Sequence, residues 1–206
     1  MWVRRWLPLL LLLAACSSPT TTPACDDDPI ELFDGDSLSG WSHAGPGGVD
    51  AEDGVLRTRG GMGLLWYSAR SFGDLDLRLD WRVTRETDNS GIFLRFPDPG
   101  DDPGVAVTNG YEIQINDNPQ GDPQKTGAIY NVQPPTESAS RPPGEWNTYR
   151  ITVTDQRFQV WLNDTLVNDL TSSDPQRSAT DGYIGLQNHD PDSVVEFRTI
   201  SLTCSN

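Results

Sequence analysis

The sequence predicts an all-β protein, a sandwich or jelly roll of two antiparallel sheets. Three observations carry this. Apolar and polar residues alternate in short runs, most strictly from Asp74 to Thr84, where Leu75, Leu77, Leu79, Trp81 and Val83 share one face. Gly (19) and Pro (16) are plentiful, as turns between many short strands require. No stretch of a dozen residues keeps a helical period. At 206 residues the chain is sized for one domain with short extensions.

Residues 1–16 read as a targeting segment. Arg4 and Arg5 form its charged start, and Leu7 to Ala15 its apolar run, too short to span a bilayer permanently. Leu13-Ala14-Ala15-Cys16 resembles the bacterial lipobox, in which the Cys is lipidated and becomes the mature N-terminus. The expectation is a bacterial cell-envelope protein, extracytoplasmic and held to the membrane by its lipid alone. Plain secretory cleavage near Ala15 is the weaker alternative. Residues 17–29 are polar and rich in Pro and Thr, a flexible tether. The domain then spans residues 30–204. Cys25 and Cys204 flank it, and in an oxidising compartment such a pair bridges the termini. Closing so long a loop is worth roughly 5 kcal/mol on the chain-entropy model.

The strands follow in order. Gly91 to Phe96 places Ile92, Leu94 and Phe96 on one side, and Phe93 and Arg95 on the other. Tyr111 to Asn116 places Tyr111, Ile113 and Ile115 against Glu112, Gln114 and Asn116. Pro97 to Asn109 and Asn116 to Gly127 read as long irregular loops, which in a compact sandwich are often functional. Tyr149, Ile151 and Val153 alternate, as do Phe158, Val160 and Leu162, with a hairpin turn at Thr154-Asp155-Gln156-Arg157. Asn163-Asp164 is suited to a type I′ turn. Tyr183 to His189 places Ile184 and Leu186 against Tyr183, Gln187 and His189. The last strand, Val194 to Thr203, changes phase near Arg198-Thr199, which suggests a bulge.

If these strands share a sheet, Arg95, Glu112, Gln114, Gln187 and His189 line one surface. A cation, a carboxylate, an imidazole and two amides suit a polyhydroxylated ligand, and supply an acid and a base. The bland alternative is a solvated ion pair between Glu112 and Arg95, worth about 0–1 kcal/mol, with His189 as a turn residue. Trp81, Trp146 and Trp161 read as core. Trp66-Tyr67 is the best sugar-stacking candidate, although core is the stronger reading there too. His43 and the Asp98, Asp101, Asp102 loop read as turn chemistry. With 30 acidic against 15 basic residues, the net charge of −15 excludes nucleic acid as a partner.

Several segments together resemble the 3-keto-disaccharide hydrolase domain family. They are Leu32-Phe33-Asp34-Gly35, Leu38-Ser39-Gly40-Trp41, Leu79-Asp80-Trp81-Arg82, Asn89-Ser90-Gly91-Ile92-Phe93-Leu94-Arg95, Gly110-Tyr111-Glu112-Ile113-Gln114-Ile115, Thr126-Gly127-Ala128-Ile129-Tyr130, Pro143-Gly144-Glu145-Trp146-Asn147 and Gly182-Tyr183-Ile184-Gly185-Leu186-Gln187-Asn188-His189, then Phe197-Arg198. They cover roughly residues 30 to 203 in family order. Where the family pattern often has an acidic pair after Glu-x-Gln, this chain has Asn116-Asp117.

The resemblance implies a concanavalin-A-like sandwich that hydrolyses glycosides oxidised to a ketone at C3. Such chemistry needs a base near C2, a donor or cation at the C3 oxygen and an acid at the leaving oxygen. On this reading Glu112 or His189 is the base and the other the acid or orienter. Arg95 faces the developing enolate, and Asn89, Gln114 and Gln187 hold hydroxyls. Asp117 and Tyr130 are further substrate contacts. A divalent cation, calcium or similar, held by His189 and Glu112, could replace Arg95 as the electrophile.

Two rival functions remain open to the sequence. A retaining glucanase needs two carboxylates about 5 Å apart; Glu112, Gln114 and Asp117 fall at the offsets of its Glu-x-Asp-x-x-Glu pattern, with two substitutions. A non-catalytic, lectin-like carbohydrate-binding domain would use the same face without a base of shifted pKa.

Overall fold

A computed structural model describes residues 28–120 and 122–204. Thirteen strands are formed among them: β1 Ile30–Glu31, β2 Trp41–Ala44, β3 Gly48–Glu52, β4 Val55–Arg59, β5 Gly63–Tyr67, β6 Leu75–Val83, β7 Asn89–Phe96, β8 Tyr111–Asn116, β9 Asn147–Thr154, β10 Arg157–Leu162, β11 Thr165–Thr171, β12 Tyr183–Asn188 and β13 Val195–Cys204. One short helix, α1 Gly104–Asn109, lies inside the segment expected to be irregular. Six residues with Gly and three β-branched side chains are too few to show a helical period in sequence.

The strands form two antiparallel sheets. One has eight strands in the order β11-β10-β9-β6-β13-β4-β3, with β1 paired to β13; the other has five, β2-β5-β12-β7-β8. The expected sandwich is therefore present, and one core fills the space between the sheets. Leu75, Leu77, Leu79, Trp81 and Val83 enter it from β6, as their alternation predicts, facing Ile92, Leu94, Tyr111, Ile113, Ile184 and Leu186 of the smaller sheet. Trp41 is anchored by its indole N–H, which donates to the Leu32 carbonyl at 2.6 Å. Tyr149 crosses the core, and its hydroxyl donates to the Gln114 carbonyl at 2.7 Å, tying β8 to the opposite sheet.

The turns follow local chemistry. Asn163 and Asp164 both have positive φ, +48° and +68°, as a type I′ turn requires. β13 shifts register between Arg198 and Ser201, with Thr199 at φ +54°. The bulge lets Val195 and Phe197 share the core with Ile200 and Leu202 despite their opposite phase.

Two sequence expectations are corrected. Arg95 takes φ +61°, and the pairing slips there, so that Ile184 faces Leu94 but Tyr183 faces Phe96. The extra residue turns Phe96 to the outer face beside Phe93, away from Ile92 and Leu94. Trp146 and Trp161 are half-buried, on the outer surface of the larger sheet. Arg82 and Arg198 lie over the Trp146 ring at 4.5 and 4.0 Å, and Arg150 lies over Trp161 at 4.7 Å. An indole between guanidinium groups is stable at a surface, so these aromatics need no core. Cys204 ends β13 and is buried. The lipobox, residues 17–27 of the tether and Cys25 lie outside the described residues.

Candidate functional site on the five-stranded sheet

The outer face of the smaller sheet has an apolar half and a polar half. In the apolar half Ala44, Leu64, Trp66, Phe93 and Phe96 form a second cluster, covered by Ala106 of α1 and flanked by Tyr183. Trp66 is buried there, edge-on to Tyr183 at 4.7 Å. It is thus a packing residue and no exposed platform for a sugar.

Strand register assembles the polar half. Across β7 and β8, Phe93 faces Glu112, Gly91 faces Gln114, and Asn89 faces Asn116. On β12 Leu186 faces Ile92, so the next residue, Gln187, comes beside Gly91. Alternation then points Glu112, Gln114, Asn116, Asn89 and Gln187 to one surface. Residues 126–130 extend the sheet past β8. Gly127 N–H donates to the Gln114 backbone carbonyl, Tyr130 N–H donates to the Glu112 backbone carbonyl, and Ile129 bridges Ile113. Tyr130, adjacent to Ile129, falls on the Glu112 side.

Glu112 is only 5% exposed. Burial pushes its carboxyl up to about 8, and a hydrogen bond from the Gln187 side chain opposes the shift only in part. Its place depends on Gly91. A Cβ there would overlap the Glu112 carboxylate oxygen and lie 2.7 Å from its Cγ. The glycine therefore opens the space into which the Glu112 side chain leans, from β8 across β7 toward Gln187. Beside it, Gln187 Oε1 and Asn89 Oδ1 are buried without a hydrogen-bond partner. Buried polar atoms of this kind are uncommon and call for an explanation such as a ligand.

His189 follows the end of β12 and is half exposed. Its Nδ1 lies 2.7 Å from Asp190 Oδ2. Asp190 also accepts from Ser193 Oγ and from the N–H groups of Asp192 and Ser193, each at 2.8 Å. Burial raises the Asp190 carboxyl, but the hydrogen bonds from His189, Ser193 and the two amides outweigh it and hold the group at about 2. Ser193 Oγ in turn accepts from the Asn89 N–H at 2.9 Å. The 190–193 turn thus ties the His189 loop to β7.

Two expected site residues lie elsewhere. Arg95 pairs with Asp74 at 3.0 Å and donates to the Ala179 carbonyl at 3.0 Å. The bulge points it toward the end of the sandwich, where Asp74 also accepts from the Asp155 N–H of the opposite sheet. Arg95 is thus a tie between sheets, and the enolate role expected for it has no geometric basis. Asp117 lies one residue past the end of β8, on the phase opposite to Glu112. It lines a cleft of about 520 Å³ with Val83, Lys125 and Arg141, and acts on the Tyr149 phenol from the core side. Neither the substrate role nor the glucanase pairing with Glu112 suits that position. No cluster of three His, Cys, Asp or Glu side chains able to hold a metal ion occurs among the described residues.

Sequence reasoning missed Gly91, Asp190 and Ser193. The Asp190-Pro191 dipeptide beside His189 was visible, but its role depends on how the turn folds back.

An antiparallel sandwich carrying a buried carboxyl, held toward its neutral form among amides on one sheet face, is a surface suited to a polyhydroxylated ligand. The chain belongs to the 3-keto-alpha-glucoside-1,2-lyase-like domain family, whose model matches residues 28–203. Among curated proteins it is 26% identical to a 3-keto-disaccharide hydrolase of Bacteroides thetaiotaomicron, in an alignment 231 positions long with gaps that covers 86% of this chain and 79% of that protein. Among solved structures it is similar to a candidate glycosyl hydrolase of Parabacteroides distasonis, with TM-score 0.74 and 27% identity, covering 86% of this chain and all of that one. A carbohydrate-binding module of Bacillus subtilis shares the fold, at TM-score 0.53 and 16% identity over 80% of this chain and 95% of its own.

Proposed function

We propose that this protein hydrolyses 3-keto-glycosides by elimination and hydration, as a lipid-anchored enzyme of the bacterial cell envelope. The observation that carries the reading is Glu112. It is a carboxyl on the polar half of the smaller sheet's outer face, held by burial at about 8 and neighboured by an amide in place of a cation. A carboxylic acid that keeps its proton at neutral pH is suited to give it to a leaving group. The names of the relatives supply the substrate class.

The steps follow from the ketone. A C3 carbonyl acidifies the proton on C2. His189 takes that proton, and the C–H electrons form the enolate at the C3 oxygen. The enolate collapses and breaks the C1–O bond, while Glu112 donates its proton to the departing oxygen. Water then adds at C1 of the enone and a proton returns to C2, so the net reaction is hydrolysis. Amides of Gln187 and Asn89 lie within the same face and serve the C3 oxygen and neighbouring hydroxyls; Gln114 and Tyr130 flank Glu112. Cys16 as lipid anchor, residues 17–29 as tether and a Cys25–Cys204 bridge belong to the same proposal.

Incubating the full chain in detergent with a 3-keto-glucoside, and separately with the unoxidised glucoside, tests this by mass spectrometry. Release from the keto sugar alone is the expected result. Cleavage of the unoxidised sugar would assign an ordinary glycosidase, and binding without turnover would assign a carbohydrate-binding domain.

A further inference from the structure

We infer that Asp190 is a positioning residue that fixes the tautomer of His189 and leaves Nε2 as its reacting nitrogen. The inference rests on the acid–base pair proposed above and adds how one member of it is set.

The argument starts from hydrogen-bond bookkeeping around Asp190. Its Oδ1 accepts two backbone N–H groups of the 190–193 turn, and its Oδ2 accepts the Ser193 hydroxyl. A carboxylate ringed by donors can only accept. The Nδ1 of His189, 2.7 Å from Oδ2, must therefore carry the proton of that contact. In the neutral ring Nε2 is then unprotonated and free to take a proton. Once it does, the imidazolium remains paired with a carboxylate that cannot swing away. Ser193 locks this arrangement to the sheet, since the hydroxyl that donates to Asp190 also accepts from the Asn89 N–H.

Position favours the same conclusion. Glu112 leans over Gly91, and Gln187 lies beside Gly91 on the next strand. His189 is two residues beyond Gln187. With strands about 4.8 Å apart and about 6.8 Å per two residues, the His189 Cα lies roughly 8 Å from that of Gly91. Continuing the parity of β12, His189 follows Gln187 to the Glu112 side, so a proton donor and a proton acceptor belong to the same face. Arg85 lies near enough to act on Asp190 and Asp192, and is itself engaged by Asp88 and the Asp192 carbonyl. Asp190 alone of these meets the ring in the described hydrogen bonds.

The test reads the tautomer directly. The chain has only two histidines, His43 and His189, so long-range proton–nitrogen spectra of the full chain in detergent, with His43→Gln for assignment, resolve His189. Neutral His189 is expected with its proton on Nδ1. In Asp190→Asn the side-chain oxygen stays with the turn amides and the new NH₂ faces the ring, so the proton should move to Nε2. On a 3-keto-glucoside that variant should lose about 100-fold or more in kcat with KM nearly unchanged. Wild-type His189 protonated on Nε2 would overturn the inference without any variant being folded. So would Asp190→Asn that keeps its kcat while only its melting temperature falls. If wild type turns over no keto sugar, the proposed function fails, and the tautomer still decides the role of Asp190.

Discussion

Each sheet buries one glutamate on its outer face, and the two are treated oppositely. Glu196 on β13 is 2% exposed and forms salt bridges with Arg57 of β4 and Arg82 of β6. Glu112 on β8 is 5% exposed and has Gln187 in place of an arginine. The larger sheet repeats the first arrangement along its surface, with Arg150 on Asp76, Arg198 on Asp80 and Arg157 on Asp169. Its charges are spent on one another, and they stitch strands together. The smaller sheet leaves a carboxyl without a cation and two amide oxygens without a donor, at a cost in stability. Local energetic conflict that the fold tolerates is a mark of a site.

That contrast is broken most sharply at Glu112. Glu112→Gln should remove on the order of 10³-fold from kcat on a 3-keto-glucoside, within the range of general acid catalysis. The same variant should gain stability, and the sign depends on pH. The folded carboxyl titrates at about 8 against an ordinary 4.5, so between these values the native state holds a proton that the unfolded chain has released. Wild-type stability therefore falls as pH rises from 4.5 to 8 and levels off above. The advantage of Glu112→Gln in denaturant titrations should open across that window and reach on the order of 2–4 kcal/mol. Equal stability of the two proteins at pH 5 and pH 8.5 would show that Glu112 is ionised normally. Turnover itself should decline above about pH 8, as the acid loses its proton.

Gly91→Ala sharpens the comparison without touching a charge. Its methyl would displace the Glu112 carboxyl, and kcat should drop about 100-fold, as for a catalytic group misplaced by an ångström; an unchanged rate would free Glu112 from that position. Glu196→Gln should do the reverse, costing about 1–2 kcal/mol of stability, because Arg57 and Arg82 are partly solvated, while activity per folded molecule holds. The smallest effect is expected from Asp117→Asn, on the far side of β8, where kcat/KM should stay within about twofold; a large loss would bring the neighbouring cleft into the reaction.

Much of this was written in the residues. Alternation in β6, β8 and β12 placed Glu112, Gln114 and Gln187 opposite the core, because side-chain direction in a strand follows from parity alone. The Asn163-Asp164 turn and the β13 bulge were legible for the same local reason. What parity could not show was the bulge at Arg95, which takes that residue off the face of Glu112 and gives it to Asp74. Bulges depend on how partner strands register, and β12, against which β7 slips, is distant in sequence.

The sequence by itself determined the sandwich, the strand residues of its core apart from Phe96, Trp146 and Trp161, and the face that carries Glu112, since these rest on a period of two and on turn residues. Only the tertiary structure decided what surrounds that carboxyl. Gly91, Gln187 and Asn89 come to it from two other strands, and Asp190 reaches His189 through a turn that folds back onto β7. Burial and hydrogen bonding, which set a proton's affinity, are properties of that assembly and belong to no local stretch of chain.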